Sequence, residues 1–453
     1  MIPEQFLARM KSMPQLDFDA FSAALETPAV RALRVNTLKT NAQDLLPLLP
    51  FAVEPLPFCE NAYYAPADKV GALPAHHAGM MYMQDPGAIS AVVAAKPKAN
   101  TRVIDLCAAP GGKSTQLAAA IAPDGILVCN EYVPSRCRIL QGNVERLGAR
   151  HAIVTNLDTA ILADFYGAYF DLVVADVPCS GEGMFRKYEV ASEEWSEENV
   201  AVCATRGREI LENAARLVAP GGRLLFSTCT FAPEENERQI DRFLTAHPDF
   251  SLVPVTPEVI NSTADGVNFE GLSHDMTHCR RFYPHLSPGE GQFVALLQRD
   301  TQAAIATPRD AATAPDKKTA ALVWQFLDEV LAIRPDCRLV QLRDDLYLAP
   351  NIPIPSRGVF APGVCIGTLT KGRIVPHHQL FSAYGQAFCR TLSLSHADAR
   401  VAQYLRGEEI DAPELKGENG FTAVLYEGAP LGGGKAVNGR LKNAYPKGLR
   451  NHN

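Results

Sequence analysis

No stretch of this chain runs to about 18 consecutive apolar residues, so no segment reads as a membrane span. The N-terminal MIPEQFLARMKSM has neither the basic-then-apolar layout nor the cleavage site of a signal peptide. Cysteine pairing is missing as well. The 11 cysteines are odd in number, scattered, and never spaced C-x-x-C, which argues against a disulfide framework or zinc ribbon and for a reducing cytoplasm. Nor is there a surplus of positive charge. With 43 Lys and Arg against 50 Asp and Glu, the net charge is −7, and no global field recruits nucleic acid.

What remains is an ordinary globular composition, 47% hydrophobic and 21% charged, in 453 residues. That length suits about two to four units. Residues 1–98 form a lead-in region with a strand-like ALRVNTL (Ala32–Leu38) and MYMQDPGAISAVVAA (Met81–Ala95). Over 99–299, apolar runs alternate with amphipathic helices. RVIDLC (Arg102–Cys107), ILVCN (Ile126–Asn130), AIVTN (Ala152–Asn156), DLVVADV (Asp171–Val177) and GRLLFSTC (Gly222–Cys229) read as strands, with FVALLQR (Phe293–Arg299) as the last. Strands alternating with helices predict an α/β, parallel, doubly wound sheet. Residues 300–321 lack a periodic apolar face and read as a linker. A small mixed segment spans 322–390, and 391–453 is expected to open on the helix SHADARVAQYLRG and to end in short strands. That tail concentrates Lys435, Arg440, Lys442, Lys447 and Arg450 among tyrosines, a local patch suited to a phosphate backbone.

VIDLCAAPGGKSTQLA (Val103–Ala118) is strand, turn, helix. Its GGKS ending suggests a phosphate-binding loop, but that loop needs glycine where Cys107 stands. The alternative is a site for S-adenosylmethionine (AdoMet). The small residues Ala108, Ala109, Gly111 and Gly112 let a ligand approach the backbone at the end of the first strand. Glu131, after the second strand, can accept both ribose hydroxyls, and Asp158, after the third, is placed for the adenine amino group. Ligands of open parallel sheets bind at these carboxyl ends.

Two further strand ends carry thiols: Asp176-Val177-Pro178-Cys179 on the fourth and Ser227-Thr228-Cys229 on the fifth. Cytosine C5 is a weak nucleophile, and a thiolate adding at C6 makes C5 enamine-like, ready to accept a methyl group. A group sharing a proton with N3, such as Asp176, assists the addition. The residues alone leave open which of the two thiols attacks. Cys107 is expected to line the cofactor turn through its backbone, while Cys129, Cys137 and Cys203 are expected to pack as small hydrophobes. His274, His278 and Cys279 lack a fourth ligand, and no metal is expected.

With these motifs assembled, the chain resembles the Sun/Fmu family of RNA (cytosine-5)-methyltransferases, in its RsmF-like branch. The resemblance runs from RVNTLK (Arg34–Lys39) and YMQDPGAISA (Tyr82–Ala91) through DLCAAPGGKS, DVPCSGEG, STCTFAPEENE and RFYPHLSPGEGQFVALL to PLGGGKAVNGRLKNAYPKGLR (Pro430–Arg450). It implies a Rossmann-like AdoMet-dependent core with an N-terminal RNA-binding lead-in and a C-terminal PUA-like RNA-binding domain. Cys107, Ala108, Ala109, Pro110, Gly111, Gly112 and Lys113 would hold the methionine and ribose of AdoMet, with Glu131 on the ribose, Asp158 on the adenine and Asp176 beside both donor and base. It implies Cys229 as nucleophile and Cys179 as the thiol that releases the methylated RNA. The implied substrate is 16S ribosomal RNA, free or in the 30S subunit, with transfer RNA as the alternative, acted on by a monomer. In one departure, Gly434, the third glycine of LGGGK, stands where an aromatic is expected. A DNA cytosine methyltransferase would need a Glu-Asn-Val acid motif. Glu198-Asn199-Val200 matches it in letters but reads as the acidic start of an amphipathic helix.

Overall fold

The computed structural model describes residues 2–66, 70–302 and 304–451. Its centre is a ten-stranded sheet in which five strands run parallel: Arg102–Asp105, Ile126–Asn130, Ala152–Thr155, Phe170–Asp176 and Val218–Thr228. In the sheet they stand in the order third, second, first, fourth, fifth. Val154, Val173, Val174, Leu224 and Leu225 are all buried, the near-continuous apolar runs that a sheet covered on both faces demands. The strand order reverses between the first and fourth strands, and the loops that follow them open a crevice there.

The sheet is not parallel throughout. Gln292–Arg299, expected as the last strand of a parallel sheet, runs antiparallel to the fifth strand, pairing Phe293 with Thr228. It also pairs antiparallel with Arg280–Phe282, to which it is joined by a connection too short for a crossover helix. At the other edge, Val359–Ala361 from the small mixed domain pairs antiparallel with the third core strand. Nothing in the sequence pattern announced that addition.

Two N-terminal helices, Glu4–Lys11 and Phe18–Leu25, bury Phe6 and Phe21 against the core's loops. The Phe6 ring meets Phe185 edge-on at 5.0 Å, and Phe21 meets Phe231 at 5.2 Å. A four-stranded antiparallel sheet follows, in the order Glu54–Leu56, Cys59–Tyr64, Ala32–Val35, Met81–Gln84. Asp85 then caps the helix Pro86–Ala95, with proline at its first position. The segment expected to be a linker over 300–321 gives its last residues to the helix Lys317–Val330, because Asp316 accepts from the Thr319 N–H and starts the helix there.

The C-terminal domain is a five-stranded sheet and opens on a strand, Thr391–Leu394, not on the expected helix. That strand lies parallel to Gly420–Tyr426, and the helix Arg400–Arg406 comes after it. Apolar alternation in a four-residue strand is too short to stand out beside a helix-like stretch. The glycines of LGGGK have steric reasons. A Cβ on Gly433 would lie 2.1 Å from the Phe381 ring of helix His378–Tyr384, and one on Gly434 2.4 Å from the Lys442 carbonyl. Lys39 ties the units together: its buried Nζ donates to carbonyls of Ala78, Arg146 and Pro430 and to Ser382 Oγ. The four partners come from the lead-in, core, C-terminal and small units. Burial pushes this ammonium well below its ordinary range, and the neighbouring Arg146 and Arg150 push it further.

Candidate active site

The turn after the first strand is built for close approach. Gly111 takes φ 115°, in the region glycine alone adopts readily, and begins the helix Gly112–Ile121. Asp105, at the strand end, accepts a 2.6 Å hydrogen bond from Ser114 Oγ. Burial raises its carboxyl to about 7, against the pull of that bond. Asn130, fully buried, fastens three strand ends. Its Nδ2 donates to the carbonyls of Leu106 and Leu157, and its Oδ1 accepts from Thr155 Oγ1 and the Leu157 N–H.

Glu131 is buried just beyond, and one of its oxygens accepts from the Val133 N–H. The other, Oε2, has no hydrogen bond and lies 3.4 Å from Arg136. A buried carboxylate oxygen without a donor is costly, and a hydroxyl pair arriving from a ligand would satisfy it. Asp158 is exposed and spends Oδ1 capping the helix Thr159–Tyr166 through the Ala160 N–H. The turn, Glu131 and Asp158 thus stand on three adjacent strand ends along one side of the crevice.

Across the switch point, the fourth and fifth strands bring the other residues together. Lys113 Nζ is 2.8 Å from Asp176 Oδ2, and Ser227 Oγ donates to Asp176 Oδ1 at 2.6 Å. Burial alone would lower the Lys113 ammonium, but Asp176 outweighs it and the net shift is upward. Cys179 and Cys229 face each other, their sulfurs 3.3 Å apart and unbonded, and the Cys229 N–H also points at the Cys179 sulfur. The hydrogen bond shared with Cys229, together with burial, pushes the Cys179 thiol well above its ordinary range. The other thiols singled out in the sequence do not join this pair: Cys129, Cys137 and Cys203 are buried in packing.

Over residues 92–298 the chain matches the family model described as 16S rRNA methyltransferase RsmB/F. Residues 2–86 match the N-terminal domain of 16S rRNA methyltransferase RsmF, and 391–451 match the methyltransferase RsmF PUA domain. The chain is 32% identical to Ribosomal RNA small subunit methyltransferase F of Vibrio vulnificus (strain YJ016), covering 99% of this chain and 97% of that protein. It is also 32% identical to the protein of the same name in Klebsiella pneumoniae (strain 342), at 99% and 96%. This chain belongs to the RsmB/F family of 16S rRNA methyltransferases. Among solved structures, a methyltransferase homolog protein from Pyrococcus horikoshii is 26% identical, with a TM-score of 0.57 over 66% of this chain and 95% of that one. NSun6 from the same organism, at 20% identity and TM-score 0.55 over 66% and 98%, shares the fold.

The Cys179 and Cys229 loops are held by a network that the motifs did not announce. Ser180 donates to Glu235 through both its N–H (2.9 Å) and its hydroxyl (2.5 Å), tying the Cys179 loop to the segment after Cys229. Burial raises Glu235 to about 7 despite those bonds. Glu182 accepts from the Trp195 indole, Thr230 Oγ1 and the Phe231 N–H. Glu237, fully buried, grips Arg281 in a two-pronged ion pair, and Arg281 also donates to the Phe231 carbonyl. The letters PEENE show the acids beside Cys229 but not that two of them turn inward to buried partners. Arg34 of RVNTLK reaches the cofactor turn through Thr115 Oγ1 at 2.7 Å. Glu198-Asn199-Val200 falls in the first turn of helix Glu197–Leu217, with Glu198 exposed to solvent.

The five tail cations differ in their surroundings. Lys435 and Lys442 stand directly opposite each other on paired strands, both exposed. Arg440 is engaged by Glu409 at 2.5 Å and by Asp411 at 3.7 Å. Lys447 is exposed, and Arg450 lies against Gly407. Among the described residues no three His, Cys, Asp or Glu side chains gather as a metal site, and His274 is bound to Asp241 instead. Among the described residues, no helix is long and apolar enough to cross a membrane.

Proposed function

We propose that this chain transfers a methyl group to C5 of a cytosine in 16S rRNA through a covalent cysteine–C6 adduct, with AdoMet as donor. The observation that carries the reading is the pair of sulfurs 3.3 Å apart, at the ends of adjacent strands, beside Asp176 and its Lys113 partner. The residues fit AdoMet. The positive-φ turn at Gly111 admits its methionine end, the donor-free oxygen of Glu131 suits its ribose, and the remaining Asp158 oxygen suits its adenine. When bound there, AdoMet supplies an electrophilic methyl on a sulfonium.

Cys229 is the nucleophile in this reading. The Lys113 ammonium lies within electrostatic reach of its sulfur. The sulfur adds to C6, the displaced electron pair moves toward N3, and Asp176 shares a proton there. C5, now enamine-like, takes the methyl group as the methyl–sulfonium bond breaks and leaves a thioether, and N3 hands its shared proton back to Asp176. C5 then loses its proton to a base, the C5–C6 double bond re-forms, and the Cys229–C6 bond breaks. Cys179, kept protonated by its neighbour and by burial, hydrogen-bonds the departing thiolate and speeds release. The N-terminal domain matched over 2–86 and the PUA domain matched over 391–451 deliver the RNA, free or in the 30S subunit, to a monomer in the cytoplasm.

With labelled AdoMet and 16S rRNA, Cys229→Ala abolishes transfer, while Cys179→Ala accumulates a slow-migrating protein–RNA adduct. An adduct in Cys229→Ala that is absent from Cys179→Ala reverses the two roles.

A further inference from the structure

The turn that follows the Cys179 loop carries an exposed aromatic on a rigid base. Tyr188 is 55% exposed. Its backbone is not free to wander. The N–H groups of Lys187 and Tyr188 both donate to the Met184 carbonyl, at 2.9 Å each. Arg186, one residue earlier, is buried and donates to Glu290, to the carbonyls of Gly289 and Ala24, and to Thr27 Oγ1. Glu290 in turn gives its N–H to Asp85, and Gln292, two residues on, reaches Asp176 at 3.4 Å. The platform is therefore locked to the same segment that touches the catalytic carboxylate.

The turn lies beside the reaction centre: Gly183, just before Met184, donates its N–H to the Cys229 carbonyl at 2.9 Å. Lys187 Nζ lies 5.5 Å from the Tyr188 ring centroid. Tyr82 abuts the cofactor turn, where a Cβ on Gly112 would sit 3.3 Å from its ring, and it lies within electrostatic reach of both Tyr188 and Lys113. With the Lys187 ammonium over one face of the ring, the other face is left to stack on an unpaired base while the ammonium meets the adjoining phosphate. A cytosine turned into the crevice toward Cys229 leaves its neighbour in the strand unstacked, and that neighbour needs such a surface.

We propose that Tyr188, with Lys187 beside it, is the stacking platform for the nucleotide next to the target cytosine. This rests on the reading of the chain as an RNA cytosine methyltransferase. Base–aromatic stacking of the usual strength makes Tyr188→Ala raise the KM for 16S rRNA by about 5- to 150-fold, with the AdoMet Kd unchanged. Tyr188→Phe keeps wild-type KM, because the ring and not the hydroxyl carries the contact. Lys187→Gln lowers the slope of log affinity against log salt by about 0.7, the value for one single-strand phosphate contact.

The test is steady-state methylation of 16S rRNA by the full-length wild type and the three variants, with melting temperatures measured in parallel. Wild-type KM in Tyr188→Ala overturns the proposal, and so does a Tyr188→Phe variant as impaired as Tyr188→Ala. Failure of the wild type to methylate RNA would instead overturn the underlying functional reading.

Discussion

Replacing Glu237 by Gln removes one charge and almost no volume, and it tests whether the loop after Cys229 is held electrostatically. Both partners are out of water, with side-chain exposures of 0% for Glu237 and 1% for Arg281. The carboxylate receives Arg281 Nε at 2.6 Å, Arg281 Nη2 at 2.5 Å and the Val267 N–H at 3.0 Å. Without it, a guanidinium stays buried with no counter-charge, which costs about 3–5 kcal/mol. Set against a total stability on the order of 5–15 kcal/mol, this is a large loss, and the melting temperature should fall by roughly 10 °C. Because Arg281 also holds the Phe231 carbonyl, two residues past Cys229, methyl transfer should slow as well. Arg281→Met and the double variant complete a cycle. The double variant should lose about 2 kcal/mol less than the sum of the singles, since it leaves no orphan charge. A Glu237→Gln protein melting within about 2 °C of wild type, or strictly additive losses across the cycle, would refute the reasoning.

Asn130→Leu should lower AdoMet affinity at least tenfold by calorimetry, because the four hydrogen bonds that fasten the strand ends beside Glu131 are worth on the order of 2–4 kcal/mol together. The pH dependence has a definite sign. Asp105 and Glu235 both sit at about 7 in the folded chain, above their ordinary values, so folding binds protons in the window between. The stability they contribute is complete near pH 4 and is lost as pH rises through about 7, and Asp105→Asn should flatten that fall in chemical denaturation. On the C-terminal sheet, Lys435→Gln with Lys442→Gln should weaken RNA binding and reduce its salt slope by about 1.5. Arg440→Gln should leave the slope nearly unchanged, because Glu409 and Asp411 already balance that cation.

The parallel core was legible because its strands are buried on both faces and announce themselves as apolar runs. So were Asp176, Cys179 and Cys229, whose strand-end positions follow from those runs. The antiparallel turn of Gln292–Arg299 was not, since strand direction depends on the length and course of the connection and not on the strand's own residues. Val359–Ala361 joining the core sheet is a tertiary choice with no local signature. Thr391–Leu394 was hidden by its length and by the helix-forming stretch after it. At the site, residue types gave two thiols and a carboxylate, but their spacing left the attacking sulfur open, and the family resemblance chose Cys229. The acids of PEENE were visible as letters. That Glu235 and Glu237 turn inward to Ser180 and Arg281 could be learned only from packing.

The central claim is that Cys229 bonds to the base and Cys179 frees it. Its most direct test is tandem mass spectrometry of the adduct that Cys179→Ala forms on 16S rRNA, after nuclease and protease digestion. The account predicts a 5-methylcytosine nucleotide attached to the peptide containing Cys229. A nucleotide on any other residue, or no adduct at all in that variant while transfer continues normally, would contradict it.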